Sequence, residues 1–225
     1  MGIQENLKHI NEEIAKAAKI SGRCKSDIKL VGVTKSVGVD VIQELISAGL
    51  TNFGENRVQE FLPKYEALKE QFLPTWHFIG HLQRNKVKFI IDKVAMIHSV
   101  DSIDLAQEID KRAGQTGQKM DVLIEVNIAD ESSKHGFSPN EVISVTDKLV
   151  NLKNIQVKGL MCIAPFVENP EDNRTHFKCM RNLFHDINKR GFHNLTELSM
   201  GMSGDYIIAI EEGATIVRVG TALVG

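Results

Sequence analysis

The stretch KLVGVTKS, residues 29–36, ends an apolar run on a lysine. Strand alternation puts Lys35 on the same face as Val31 and Val33. If that face is the core, the ammonium is poorly hydrated, and a lysine amine held that way is a nucleophile for carbonyls. The alternative is an ordinary solvated charge at a strand end. Two stretches near the C-terminus carry complementary chemistry. SMGMSGDY, residues 199–206, supplies two hydroxyls, two glycines over which backbone N–H groups can approach an anion, and Asp205 at the start of a helix. VGTALVG, residues 219–225, adds Gly220 and Thr221. Taken singly, each loop also reads as a plain turn. Together they suit a phosphate, and a phosphate site opposite a lysine suits pyridoxal phosphate, which carries both an aldehyde and a phosphate. Alternation groups Ile216, Arg218 and Gly220 on one face, so Arg218 points inward as a partner for the ring nitrogen. Its structural alternative is an ion pair with a buried carboxylate such as Glu125.

These residues need a frame. Strand-like runs occur at 30–34, 51–54, 75–79, 95–100, 121–128, 157–163, 196–200 and 215–219, the second and seventh being short and partly polar. Amphipathic segments separate them, such as Leu105, Ala106, Ile109 and Ala113 after the fourth run. Gly49, Gly114, Gly191 and Gly213 read as helix ends. Alternating β and α segments imply a parallel sheet. Eight units point to an α/β fold, a single (β/α)8 TIM barrel spanning 1–225 with an extra N-terminal helix; an open doubly wound sheet is the alternative. The extra helix is read from Ile3, Leu7, Ile10 and Ile14. Pro63 either kinks the helix after the second strand or starts a new one. The connection 129–141 reads as an elaborated loop. In such a barrel the site lies at the C-terminal ends of the strands, often with a phosphate held by the last two loops.

Composition narrows the options. The 225 residues carry 27 basic and 29 acidic side chains, a formal charge of -2, which argues against nucleic acid as a partner. The basic run Gln83–Lys88 reads as a solvated helix face. Cys24, Cys162 and Cys179 are too few and too scattered for a disulfide framework or a zinc ribbon. No run approaches the roughly 18 apolar residues of a membrane span. The expected setting is cytoplasmic, with no membrane partner, as a monomer or weak dimer.

GVTKS, FGENRVQE, WHFIGHLQRNK, HSVDS, KGLMCIAP, LSMGMSGDY and RVGTALVG, in this order, resemble the motifs of the pyridoxal phosphate homeostasis protein family, also called the YggS type. The resemblance runs from about Lys29 to Gly225. That family in turn resembles the barrel domain of alanine racemase without its β-rich second domain. It implies pyridoxal phosphate bound as a Schiff base on Lys35. Carried over by motif, Asn56 would lie near the cofactor, and Arg218 would face the ring nitrogen. Ser199, Met200, Gly201 and Ser203, with Gly220 and Thr221, would hold the phosphate. TALVG stands where the family commonly has TAIFG. Lys134 and His135 have no role derivable from the sequence.

An arginine stays charged and cannot take the proton of a ring nitrogen. It therefore leaves the ring a weaker electron sink, which suits a carrier. The leading expectation is a non-catalytic protein that buffers pyridoxal phosphate or delivers it to apo-enzymes. The alternative is an amino-acid racemase, which needs acid–base groups on both faces of its substrate.

Overall fold

The structure, a computed structural model, describes residues 2–129, 131, 134–191 and 194–225. Eight parallel strands close into a barrel in sequence order: β1 (Lys29–Val33), β2 (Asn52–Glu55), β3 (Thr75–Phe78), β4 (Met96–Val100), β5 (Met120–Val126), β6 (Ile155–Cys162), β7 (Glu197–Ser199) and β8 (Ile216–Val219). The closing pair is β1 with β8, where Val31 stands opposite Arg218. All eight expected strands are present. β7 is the shortest, only three residues long. Strand five stops at Val126 rather than 128, because the Asn127 side chain turns back. Its Nδ2 donates to the Glu131 carbonyl, and its Oδ1 accepts from the Glu131 N–H.

Helices cover the barrel: α1 (Ile3–Ile20), α2 (Val39–Ser47), α3 (Val58–Leu68), α4 (Ile103–Gln115), α5 (Val142–Leu149), α6 (Arg174–Lys189), α7 (Tyr206–Glu211) and α8 (Thr221–Val224). The segment Arg84–Phe89 between β3 and β4 is a 3₁₀ helix, not an α-helix, anchored by the buried Val87. Pro63 lies within a continuous α3 on its exposed side, where the ring meets solvent instead of a neighbouring element. Gly114 is not a helix end: it sits inside α4 against Asn154, and the left-handed residue is Gly117 at φ 68°.

The extra helix has a structural task. α7 and α8 are too short to cover the barrel wall alone. α1 buries Leu7, Ile10, Ile14, Ala17 and Ala18 and packs against both. Asn6 donates to the Leu223 carbonyl at 3.2 Å, and the Tyr206 hydroxyl donates to Glu13. The loops after β7 and β8 are thereby braced from behind.

Inside the barrel, Val31, Met96, Leu123, Met161 and Ile216 form a separate apolar cluster. Polar side chains also point inward. His77, His98, Ser199, Glu125 and Arg218 are all buried.

Candidate functional site

A cavity of about 610 Å³ opens at the C-terminal mouth between the loops after β1, β6, β7 and β8. Lys35, Arg218, Ser203, Gly204, Gly220 and Thr221 line it together. The last two loops are tied by one side chain: Ser203 Oγ accepts from the N–H groups of Gly220 at 3.1 Å and Ala222 at 3.3 Å. Asp205 shapes the same turn, with its carboxylate accepting from the Met202 N–H at 2.7 Å and from Asn173 Nδ2 at 2.9 Å. It occupies the N-cap position of α7 without capping that helix through its side chain.

Lys35 is exposed, so of the two readings of this strand end the solvated one holds, and it shares the cavity with Val33. β1 ends at Val33, so Lys35 belongs to the turn that follows and reaches the cavity from its rim. The strand end beneath it is fixed. Lys64 Nζ donates to the Thr34 carbonyl at 2.6 Å and to Glu55 Oε1 at 2.7 Å. The Thr34 hydroxyl donates to the same Glu55 oxygen at 2.6 Å. Glu55 is fully buried and Lys64 nearly so, which makes this ion pair sensitive to the loss of either partner.

Arg218 is held from the opposite side. Its two terminal nitrogens donate to Ser199 Oγ at 2.5 Å and to the Cys162 carbonyl at 2.8 Å. Among the described residues it forms no ion pair with Glu125. From Ser199 a chain of contacts runs through the barrel: to His98 Nδ1 at 3.0 Å, from His98 Nε2 to His77 Nδ1 at 3.0 Å, and from His77 Nε2 to Asn52 Oδ1 at 3.1 Å. Its ends fix its polarity. Arginine only donates and an amide oxygen only accepts. His77 therefore carries its proton on Nε2 and accepts at Nδ1, and His98 does the same. The Ser199 hydroxyl then donates to His98 while accepting from Arg218. Both rings must be neutral for this order, and burial favours that form. It pushes His77 down to about 4, with Lys29 adding to the shift. His98 is pushed well below its ordinary value by burial first, then by its neighbour His77 and by the charges of Arg218 and Lys29.

Ser199, Met200 and Gly201 thus lie buried below the cavity and do not line it. Gly201 has φ +90°, and a Cβ there would stand 2.5 Å from Ala209 Cβ and 2.9 Å from Tyr206 Cα. Its glycine character is required by α7, so a valine at this position would displace that helix whatever binds in front of it. Asn56 lines a second cavity, of about 440 Å³, with His81, Gln83 and Lys86. Its Oδ1 is buried and has no partner among the described residues.

Several participants carried no signal in the chain. Lys64 looks like any helix-surface lysine, and only the fold turns it onto Glu55. Lys134 lines the cavity from the loop after β5, paired with Glu131 at 2.7 Å. The histidines of WHFI and MIHSV were legible in principle: His98 shares the inward parity of Met96 in a fully buried strand. Glu125 is pushed up to about 7, chiefly by burial and then by the charge of Asp101, against the pull of Arg218 and His81. The rim is apolar, with Phe166 98% exposed.

Residues 2–225 match the family described as alanine racemase, N-terminal domain. A pyridoxal phosphate homeostasis protein of Aquifex aeolicus is 48% identical over 225 residues, covering 100% of this chain and 98% of that one. The chain belongs to the pyridoxal phosphate homeostasis protein family. PipY of Synechococcus elongatus, solved without pyridoxal phosphate, is 34% identical with a TM-score of 0.90 and full coverage of both chains. PipY with pyridoxal phosphate bound matches at a TM-score of 0.83, covering 94% of this chain and 100% of that one. An alanine racemase of Clostridium difficile, 18% identical with a TM-score of 0.76, shares the fold across 96% of this chain and 59% of its own. Among the described residues, no helix is long and apolar enough to cross a membrane.

Proposed function

We propose that this chain holds pyridoxal phosphate in the 610 Å³ cavity as a Schiff base on Lys35 and serves to buffer or deliver the cofactor. The observation that carries the reading is the convergence of Lys35, Arg218 and the Ser203–Gly204 and Gly220–Thr221 backbone on that one cavity. The residues fit the group. Lys35 offers an exposed amine, which condenses with an aldehyde and releases water. Gly204 has open space where a Cβ would stand, so its backbone is free to meet a phosphate. Thr221 adds a hydroxyl beside it. Arg218 is locked by Ser199 and Cys162 and presents a permanent donor and charge to whatever lies above it. When bound, the cofactor supplies an electron-withdrawing ring and an electrophilic aldehyde.

The carrier reading draws on the same residues. A guanidinium cannot give up a proton to the ring and so does not strengthen the electron sink. The chain has two tyrosines, and neither is available as a base on a second substrate face. Tyr65 packs on Phe61 in α3. The hydroxyl of Tyr206 is engaged by Glu13, and burial together with that carboxylate pushes it well above its ordinary value. The test is α-proton exchange of L- and D-alanine in deuterated water by the loaded protein. The expected result is negligible exchange. Exchange at about 1–1,000 per second, lost in Lys35→Ala, would establish a racemase instead. A recipient apo-enzyme should regain activity faster from the loaded protein than free cofactor release allows.

A further inference from the structure

We propose that His81, Asp101 and His135 form a binding site for a divalent transition-metal ion, with zinc the best match to the donor set. The three residues come from three successive loops of the barrel mouth, after β3, β4 and β5. His81 Nδ1 lies 2.7 Å from Asp101 Oδ2, and His135 Nδ1 lies 3.8 Å from the same oxygen. All three ligand atoms lie within 4.8 Å of one another. Zinc binds imidazole nitrogen and carboxylate oxygen at about 2.0–2.2 Å, so two ligands on one ion stand roughly 3–3.5 Å apart. The separations therefore need to close by only about an ångström. Two imidazoles and one carboxylate suit zinc with water in the remaining position, whereas magnesium and calcium favour oxygen donors.

The imidazole rings are stacked, with centroids 3.9 Å apart and planes 11° from parallel. Parallel rings do not aim their lone pairs at one point, so capture requires one of them to turn. Both have the freedom to do so: the side chains are 44% exposed at His81 and 58% at His135. His81 Nδ1, which donates to Asp101, gives up that proton to take the ion, and the bound neutral ring carries its one proton on Nε2.

The backbones that carry the rings are, by contrast, fixed. Gly80, just before His81, lies so close to Asn56 that a Cβ would stand 2.3 Å from the Asn56 carbonyl oxygen. Gly136, just after His135, has φ +110°, and its α-carbon faces the β5 backbone. The next residue, Phe137, donates to the Glu125 carbonyl and accepts from the Asn127 N–H, each at 2.9 Å. The local charge also favours a cation. The Asp101 side chain is only 9% exposed. Glu125 lies near enough to feel its charge, and its buried Oε2 has no partner among the described residues. None of the three ligands lines the cavity of Lys35, but Lys134, the neighbour of His135, does. A bound ion would fasten the loop that carries Lys134 to the ends of β3 and β4.

The experiment is calorimetric titration of chelator-treated, full-length protein with Zn²⁺, and with Mg²⁺ as a comparison. One equivalent of Zn²⁺ should bind and Mg²⁺ should not. His135→Ala, His81→Ala and Asp101→Asn should each weaken Zn²⁺ binding by at least about 100-fold, above the 10–100-fold common for outer-shell changes. The paired change Cys24→Ser and Cys179→Ser, which removes the two exposed thiols, should leave it unaltered. Co²⁺ in the same site should give visible absorption that His135→Ala removes. His135 and His81 are exposed, so melting temperatures without metal should match the parent. Zn²⁺ affinity unchanged in His135→Ala, or carried by the cysteines, would overturn the proposal; so would no binding at all.

Discussion

Lys35 and Arg218 face the same cavity but are held in opposite ways. Lys35 stands exposed on a turn, its amine without a partner among the described residues, with rigidity supplied below it by Lys64, Glu55 and Thr34. Arg218 is buried at 3% exposure, both terminal nitrogens engaged, at the head of a chain of neutral polar groups that crosses the barrel to Asn52. The difference matches the two kinds of work proposed for them. A group that must form and break a covalent bond needs access and mobility. A group that sets the electrostatics over a ring needs a fixed position, which a low-dielectric interior strengthens. The interior accepts this charge because every neighbour in the chain is oriented by the next.

The largest expected effect falls on the mobile side. Lys35→Ala should abolish the visible Schiff-base absorption of the protein mixed with pyridoxal phosphate. Borohydride-reduced parent protein should carry its principal adduct on Lys35 in peptide maps. Stability should change by less than about 0.5 kcal/mol, as for surface substitutions generally. A principal adduct on Lys134 would break the comparison. Lys64→Ala should act in the reverse manner: it strands the buried Glu55 charge and should cost about 3–5 kcal/mol in urea unfolding, while the amine of Lys35 remains.

Acidity separates the two regions further. Glu125 titrates in the folded protein at about 7 against an ordinary 4.5, so the native state binds the extra proton between those values. Stability from this group rises as pH falls from 7 to 4.5. His77 runs the other way: it titrates at about 4 against 6.5, so the unfolded state binds the proton and stability falls over that window. Glu125→Gln should therefore raise stability at pH 8, by up to about 3 kcal/mol for a shift of that size. It should also steepen the loss on acidification. A parallel pH profile in the variant would remove Glu125 from the account. Proton-detected nitrogen NMR at pH 7 should find both His77 and His98 neutral and protonated on Nε2.

The finest distinction lies between two serines. Ser199→Ala removes the acceptor of Arg218 and the donor to His98, for about 1–3 kcal/mol of stability. Because Ser199 lies below the cavity, affinity for pyridoxal phosphate and for pyridoxal should fall by the same factor. Ser203→Ala releases the N–H groups of Gly220 and Ala222 beside the cavity and should weaken pyridoxal phosphate more than pyridoxal. Equal losses at Ser203 would mean that these loops do not hold the phosphate.

The chain by itself determined the barrel. Eight apolar runs separated by amphipathic segments leave few ways to bury both faces of a parallel sheet, and Ile216, Arg218 and Gly220 could be assigned to the inward face from a period of two alone. Motif order was enough to place the family, since it needs no geometry. The sequence left open whether Lys35 is buried or solvated, because alternation holds only while a strand lasts and β1 ends at Val33. It grouped Ser199, Gly201 and Ser203 as neighbours, whereas the left-handed turn at Gly201 puts Ser199 under the cavity and Ser203 in it. It could not connect Asn52, His77, His98, Ser199 and Arg218, which come from β2, β3, β4, β7 and β8. Nor could it join His81 to His135, 54 positions apart. Closure of the barrel made these contacts: it brings side chains from distant strands to one axis, and their chemistry depends on distances of about 3 Å that spacing along the chain does not encode.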